Sequence, residues 1–478
     1  MKKLLFLLPI LCLTACESEL IEEPKSLVVE AFYNTAAEVE AAANLISVPL
    51  RSSSGLSVYE ATLESQTDYA YGRGSWAPLS DFQGLDGANI TRVSGLWNIF
   101  YLSIRNANLV IKNAPNGKSI SQADVKKFVG EAKFLRAYNY FQLVRNWAGV
   151  PLRTEANMTE INLKRSSVDE VYTLILADLM EAEANLPDNP AVAGRPTKWA
   201  AKTLLADVYL QQGKYAEARD KAKEVIDSKK FSLVPVATKA DFQTKVWGPE
   251  LVSTSEEIFY LKYARQVGQG NYMLWITNHP NTKLFNFGGA YAVYGDANSA
   301  FYKAWDNGDL RKSLWDVVNF GLGATTLVSS KFIDQLAVGQ NGAGNDDPVY
   351  GYSDVLLIYA EAAARAGNAV TADALESLNQ VHRRAYGKTP TATSTVDFNL
   401  ADYTSATFVN AVLMEKAYEF QYGGKRWLEL KRTGTAKAVI QAMKGKTVQD
   451  KHLLWPIPVS ELNYNLAIDA AKEQNPGY

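Results

Sequence analysis

Small residues at helical spacing constrain this chain more than any other feature. From Thr197 it reads TKWAAKTLLADVYLQQGKYAEARDKAKEVID. Ala206, Tyr209, Gly213, Tyr215, Ala218, Ala222 and Val225 fall at the positions of a helix–turn–helix repeat of about 34 residues. The alanines let two helices approach closely, Gly213 ends the first, and Tyr215 wedges between the pair. Pro196, ahead of Lys198 and Trp199, suits a helix start. A second unit reads YSDVLLIYAEAAARAGNAVTADALESLNQVHRRAYG. Ala360, Ala363 and Gly367 repeat the first helix, and Ala374, Leu378 and Val381 the second, after a turn lengthened by about two residues. Such a unit cannot bury its apolar face alone, so several must stack.

Two further segments carry the 3.6-residue apolar period, Gly130 to Trp147 and Val168 to Leu186, and helices are expected over 38–46 and 96–112. The spacing therefore predicts a mostly α scaffold of about four tetratricopeptide-like helix pairs. Nearly all of these residues are assigned to the core, including Trp97 within LWNIFYLSIRNANLV.

Residues 51–92 and 265–350 break the pattern. Both are rich in Gly, Asn, Ser and aromatics, and long irregular segments inside a packed domain are often functional. The chain holds 10 Trp, 25 Tyr and 18 Phe, enough to supply both a core and an aromatic binding surface. The first stretch offers Asp68, Tyr69, Tyr71, Arg73 and Trp76; the second offers Asn271, Tyr272, Trp275, Asn278, His279, Phe285, Tyr291, Tyr294, Trp305 and Trp315. Aromatic rings stack on the apolar faces of a sugar, while Asp, Asn, Gln and Arg bond its hydroxyls. Asp68 and Arg73 also read as an internal loop pair, and Trp305 and Trp315 as buried.

The N-terminus, MKKLLFLLPILCLTAC, has the basic start, short apolar run and small residues of a secretory leader. Its apolar stretch falls short of the 20 or so residues that span a bilayer. Both cysteines of the chain, Cys12 and Cys16, lie here, and Leu13-Thr14-Ala15-Cys16 resembles the bacterial lipobox. That resemblance implies a lipoprotein signal peptide at 1–15, lipidation of Cys16 and membrane attachment through the lipid, with the acidic ESELIEEPKS opening a tether at 16–30. Acidic residues in that place also resemble the surface-export signal of Bacteroidetes lipoproteins.

A net charge of −2 from 49 basic and 51 acidic residues argues against a nucleic-acid partner. The three histidines, His279, His382 and His452, lie far apart, so neither a metal nor another cofactor is expected. Asn345-Asp346-Asp347 lacks the EF-hand pattern and reads as a turn before Pro348. No G-x-S-x-G, H-E-x-x-H or P-loop motif is present.

Several consecutive segments resemble the SusD/RagB family of Bacteroidetes outer-membrane lipoproteins. They are EAKFLRAYNYFQLVRNWAGVPL (131–152), RPTKWAAKTLLADVYLQQGKY (195–215), SEEIFYLKY (255–263), YSDVLLIYAEA (352–362), LNQVHRRA (378–385), EKAYEFQYGGKRWLELKRTG (415–434) and LLWPIPVSELNYN…QNPGY (453–478). The family commonly has Glu-Arg where this chain has Glu415-Lys416, and Glu-Gly where it has Gly423-Gly424. That segment reads as structural: Glu415 and Glu419 share a helix face, Gly424 permits a turn, and Arg426 pairs with a carboxylate such as Glu429.

The resemblance implies a right-handed helical scaffold with a smaller irregular α/β ligand-binding region, an N-terminal helical region at 31–264 and a C-terminal region at 265–478. It also implies a non-enzymatic job: capture of a nutrient at the outer membrane, typically an oligosaccharide, and its delivery, as a hinged lid, to a SusC-like TonB-dependent transporter. Tyr69, Tyr71, Arg73, Trp76, Trp275 and Tyr291 are the expected ligand contacts. RagB-like relatives keep the lid role with peptide cargo. Two other classes are weighed against it, a surface glycoside hydrolase, which needs two carboxylates across the bond, and a protein-interaction scaffold.

Overall fold

Helices form where the small-residue and apolar spacings place them. The computed structural model describes residues 32–478; the expected leader, Cys16 and the acidic tether lie outside the described residues. The chain opens with α1 (Ala36–Asn44), α2 (Leu56–Glu64), α3 (Gly87–Asn113) and α4 (Gln122–Trp147). It continues through α5 (Val168–Asn185), α6 (Lys198–Gln211) and α7 (Tyr215–Asp227). After an insertion follow α8 (Tyr352–Gly367), α9 (Ala372–Ala385), α10 (Ser405–Glu419), α11 (Arg426–Arg432) and α12 (Ala436–Lys444).

Caps fix several starts. Thr35 and Ser167 form capping boxes with Glu38 and Glu170, satisfying backbone N–H groups that the first turn leaves unpaired. The alanines act as read: Ala206, Ala218, Ala222, Ala360 and Ala374 are buried without exposure, where α6 packs on α7 and α8 on α9. α8 also packs on α7, so the two repeats join across the 120-odd residues between them and form one mostly α, tetratricopeptide-like layer. Gly213, at φ +73°, turns the chain as only glycine does cheaply. One hydrophobic core runs from Tyr33 to Ile457, so residues on both sides of position 264 contribute to it. At its centre Trp97, Trp147 and Trp455 meet edge to face, at 5.5 and 4.9 Å.

The stretch 51–92 is more regular than its composition predicts, because it contains α2 and the start of α3. α2 shows no amphipathic period since it is buried almost all round, Ser57, Glu60, Thr62 and Glu64 included. Its polar groups find partners inside: Glu64 accepts the Gly424 backbone N–H at 2.9 Å and the Tyr69 hydroxyl. Gly424 sits at φ +65° with the place of a Cβ only 3.1 Å from the Glu60 Cα, so the glycine at 424 meets a steric need. Asn345-Asp346-Asp347 forms no turn. Asp346 pairs with Lys262 at 2.8 Å, and Asp347 begins a strand, β6 (Asp347–Gly351).

The remaining strands build two small sheets. β2 (Glu257–Leu261) pairs antiparallel with β6. β1 (Tyr71–Gly72), β3 (Val293–Asp296), β4 (Trp315–Val317) and β5 (Thr326–Ser329) form a second sheet in the order β1-β3-β5-β4. This sheet covers a separate core that includes Tyr69, Phe301, Trp305 and Trp315.

Ionic contacts join the sheet region to the scaffold. Arg311 donates to Asp309 at 2.6 Å, Glu415 at 2.8 Å and Glu419 at 3.0 Å. Arg384 donates to Glu256 at 2.7 Å and also to Glu419. All of these side chains are buried. Arg426 pairs chiefly with Asp68, at 2.7 Å, and only distantly with Glu429, at 3.6 Å. Burial pushes the Glu415 carboxyl up, but Arg311 and His382 outweigh it and hold it at about 2.

Removing one partner of such a cluster strands the others, typically at about 3–5 kcal/mol. Glu415→Gln is therefore expected to lower unfolding free energy by about 3 kcal/mol in urea titrations at neutral pH. A depressed native pKa stabilises above the unfolded-state value and loses that effect as pH falls through the folded one. The gap between wild type and variant should be full above about pH 5 and close toward pH 2; a gap independent of pH would contradict the ion-pair account.

Candidate functional site

The pairing of β1 with β3 sets Tyr71 opposite Tyr294, and their rings stack at 5.7 Å. From Tyr294 the contact continues to Phe320 at 6.3 Å. Phe320 in turn meets Tyr291 at 4.7 Å and lies parallel to the His279 ring at 4.9 Å. His279 and Tyr291 are 4.6 Å apart. Tyr71, Tyr291, Tyr294 and Phe320 are all half-buried, so a continuous run of rings lies at the protein surface.

Backbone bonds hold this surface in place. The Arg73 N–H donates to the Ala292 carbonyl at 2.7 Å, extending the β1–β3 ladder. The Ala290 and Ala292 N–H groups donate to the carbonyls of Trp275 and Ile276, both at 2.7 Å, and the Tyr291 N–H to that of Asn278 at 3.2 Å. Tyr291 is thereby fixed at φ +35°, a conformation rare for a bulky residue and concentrated at functional sites.

Arginines lie on the rings. The Arg73 guanidinium carbon is 3.8 Å from the Tyr291 ring centre, and the side chain donates to the carbonyls of Ala290 at 2.9 Å and Tyr291 at 3.3 Å. Arg92 stands 3.8 Å over Trp76 and donates to Ser75 Oγ at 3.1 Å and to Asn89 Oδ1. Burial lowers the Arg92 pKa to about 10, which leaves it charged at neutral pH. The Lys444 ammonium is 4.5 Å from the Tyr71 ring and donates to the Ala70 carbonyl; burial pulls it down to about 7. His279 is held below its ordinary value by burial and by Arg73, and its Nδ1 accepts the Asn281 N–H, so the neutral ring carries its proton on Nε2.

The structure thus brings Tyr71, Arg73 and Tyr291 into one contact network. Trp76 joins it through its N–H to the Arg73 carbonyl at 3.1 Å, and Trp275 through its own carbonyl. Both indoles are half-buried. Tyr69 does not belong: its ring is buried, 5.1 Å from Phe301 and 6.2 Å from Trp315, with its hydroxyl on Glu64. Two residues apart on a regular strand the two tyrosines would share a face, but Tyr69 lies in the bend ahead of β1 (Tyr71–Gly72) and turns inward instead. Asp68 does not pair with Arg73, because Arg426 takes both its oxygens, at 3.1 and 2.7 Å. Trp305 and Trp315 are buried.

Phe320, Arg92 and Lys444 escape the sequence reading. Phe320 had one signal, an aromatic beside Gly321 and Gly323, which adopt φ +95° and +119°; Arg92 and Lys444 lie on helices in no marked context. A cavity of about 90 Å³ lies elsewhere, between Tyr59, Arg145, Asp207, Lys416 and Lys425. Its charged walls suit trapped water. Among the described residues no group of three or more His, Cys, Asp and Glu is placed to hold a metal ion.

A tetratricopeptide-like scaffold carrying a small aromatic-faced sheet defines a class of binding protein. Residues 39–210 match the family described as "Starch-binding associating with outer membrane", and residues 302–478 match the SusD family. The chain belongs to the SusD/RagB family. It is 27% identical to SusD-like protein P2 of Formosa agariphila, over 100% of this chain and 99% of that one. Its fold is similar to that of a SusD homolog from Bacteroides thetaiotaomicron, with a TM-score of 0.78 at 21% identity over 94% of this chain and 98% of the other. It is similar also to surface glycan-binding protein A from Bacteroides fluxus, with a TM-score of 0.76 at 23% identity over 92% and 99%.

The division between core and surface tyrosines is measurable. Tyr69→Ala should cost about 3–5 kcal/mol in urea unfolding, as buried aromatic truncations do, whereas Tyr291→Ala should cost about 1 kcal/mol or less. Equal losses would mean that Tyr291 is a packing residue.

Proposed function

We propose that the protein captures an oligosaccharide outside the cell on this aromatic and arginine surface and passes it, as a lid, to a SusC-like TonB-dependent transporter, without cleaving it. The observation that carries the reading is the continuous run Tyr71–Tyr294–Phe320–Tyr291 at the protein surface, edged by hydrogen-bond donors. A sugar combines apolar C–H faces with hydroxyls around its rim, and rings beside arginine donors meet both. Ligand contacts are assigned to Tyr71, Arg73, Trp76, Trp275 and Tyr291, with Tyr294 and Phe320 added.

Family membership supports the same reading. One matching family description is starch-binding and associated with the outer membrane, and the Bacteroides fluxus protein of like fold is by name a surface glycan binder. Cys16 supplies the lipid anchor in this account. Among the described residues no helix is long and apolar enough to cross a membrane.

Calorimetry of the full chain in detergent against a panel of oligosaccharides and peptides tests the cargo. A glycan should bind, with Tyr291→Ala and Trp275→Ala each weakening it by about tenfold, the scale of one good aromatic contact. Prolonged incubation should release no shorter product. Binding confined to peptides would overturn the glycan assignment, and failure to co-purify with a barrel from native outer membranes would remove the lid.

A further inference from the structure

Arginine over an aromatic ring recurs in this protein, and the pairing of those arginines divides sharply. Among the described residues seven arginines stand over rings: Arg73, Arg92, Arg145, Arg195, Arg311, Arg365 and Arg384. Five of them hold a carboxylate as well. Arg145 has Asp207, Arg195 has Glu131 and Glu40, Arg311 has Asp309, Glu415 and Glu419, Arg365 has Glu361, and Arg384 has Glu256 and Glu419. Arg73 and Arg92 hold none within 4.0 Å among the described residues, and both belong to the candidate surface.

Carboxylates do stand nearby, Asp86 close enough to attract Arg92, but one oxygen of each is engaged elsewhere. Asp81 pairs with Lys446 at 2.7 Å. Asp86 accepts both N–H groups of Asn89, at 2.9 and 2.8 Å, and Asp296 accepts the Asn298 N–H at 2.9 Å. A guanidinium over a ring that is not paired with a carboxylate keeps N–H donors in hand, and such donors grip a planar or tetrahedral oxyanion with two bonds. Among the described residues Arg73 spends donors only on the Ala290 and Tyr291 carbonyls, and Arg92 only on Asn89 and Ser75. The same two arginines cover one face each of Tyr291 and Trp76, faces that a neutral sugar would otherwise stack upon.

We infer that the captured oligosaccharide is acidic, carrying uronate carboxylates or sulfate esters that Arg73 and Arg92 bind while the uncovered rings take its sugar faces. The inference rests on the glycan reading above and narrows its cargo. Arg73 and Arg92 are then the residues that select charged over neutral glycans.

The test is calorimetry of the full chain in detergent with matched pairs: oligogalacturonates and their carboxyl-reduced forms, sulfated chondroitin oligosaccharides and their desulfated forms, and a neutral β-glucan. An acidic member should bind at least about tenfold more tightly than its neutralised partner, the worth of one charge-assisted contact, and weaken as salt is raised. Arg73→Gln and Arg92→Gln should each erase about tenfold, and Arg73→Lys should recover part of it. Thermal melts of each variant separate a folding defect from lost recognition. Equal or tighter binding of neutral forms, or arginine variants that bind acidic glycans as wild type does, would overturn this inference and leave glycan capture standing. Silence toward every glycan, with binding to acidic peptides or none, would overturn both.

Discussion

Glu419 accepts from two buried arginines, and the joining of the two cores depends on that convergence. Arg311 comes from the sheet region, while Arg384 comes from α9 and reaches on to Glu256 at the start of β2. Glu415, one turn earlier on α10, adds a second bond to Arg311 and a contact to His382. Desolvating so many charges is costly, and hydrophobic replacements of similar shape often give a stabler protein. What such a cluster does give is a unique relative position, because each member left without its partner costs several kcal/mol. The aromatic surface needs that position: β1 lies between α2 and α3 in sequence, β3 and Phe320 come from an insertion some two hundred residues later, and their rings meet only if the insertion is seated correctly.

Secondary ion pairs repeat this arrangement at the edges. Glu361 on α8 gathers Arg365, Lys416 and Arg432, and it stays ionised with a pKa near 2, because those cations outweigh the burial that pushes it up. The helices it links are the later repeats, so the layer formed by small-residue packing is also cross-braced by charge. Both devices bury polar groups with their partners, as a protein interior requires.

The helical layer was legible because packing of helix on helix demands small residues at fixed intervals, as at Ala206, Ala218 and Ala360. α2 was not, because burial on every side removes the periodic contrast on which such reading depends. The surface was legible in part. Tyr71, Arg73, Trp76, Trp275 and Tyr291 meet or adjoin one another as a group, but composition alone could not separate Tyr69 from Tyr71. The separation comes from the sheet: Tyr71 faces Tyr294 across the ladder, while Tyr69 turns toward Trp315. Phe320, whose one local mark is the glycines that follow it, and Arg92 join the surface through rings at Tyr291, Tyr294 and Trp76 that are distant from them in sequence.

The same physics explains why Arg73 is free of Asp68. Asp68 lies five residues before it, close enough for the two to satisfy one another in a loop. Arg426, more than three hundred residues away, instead takes both Asp68 oxygens in a buried setting where an unpaired carboxylate would be costly. Arg73 is left to lie on Tyr291 with donors in hand. A structural ion pair, made to seat α11 against the residues preceding β1, thus releases the arginine that lies on the candidate surface. Scaffold and candidate surface draw on the same few charges here, and which arginine serves which is decided by tertiary pairing.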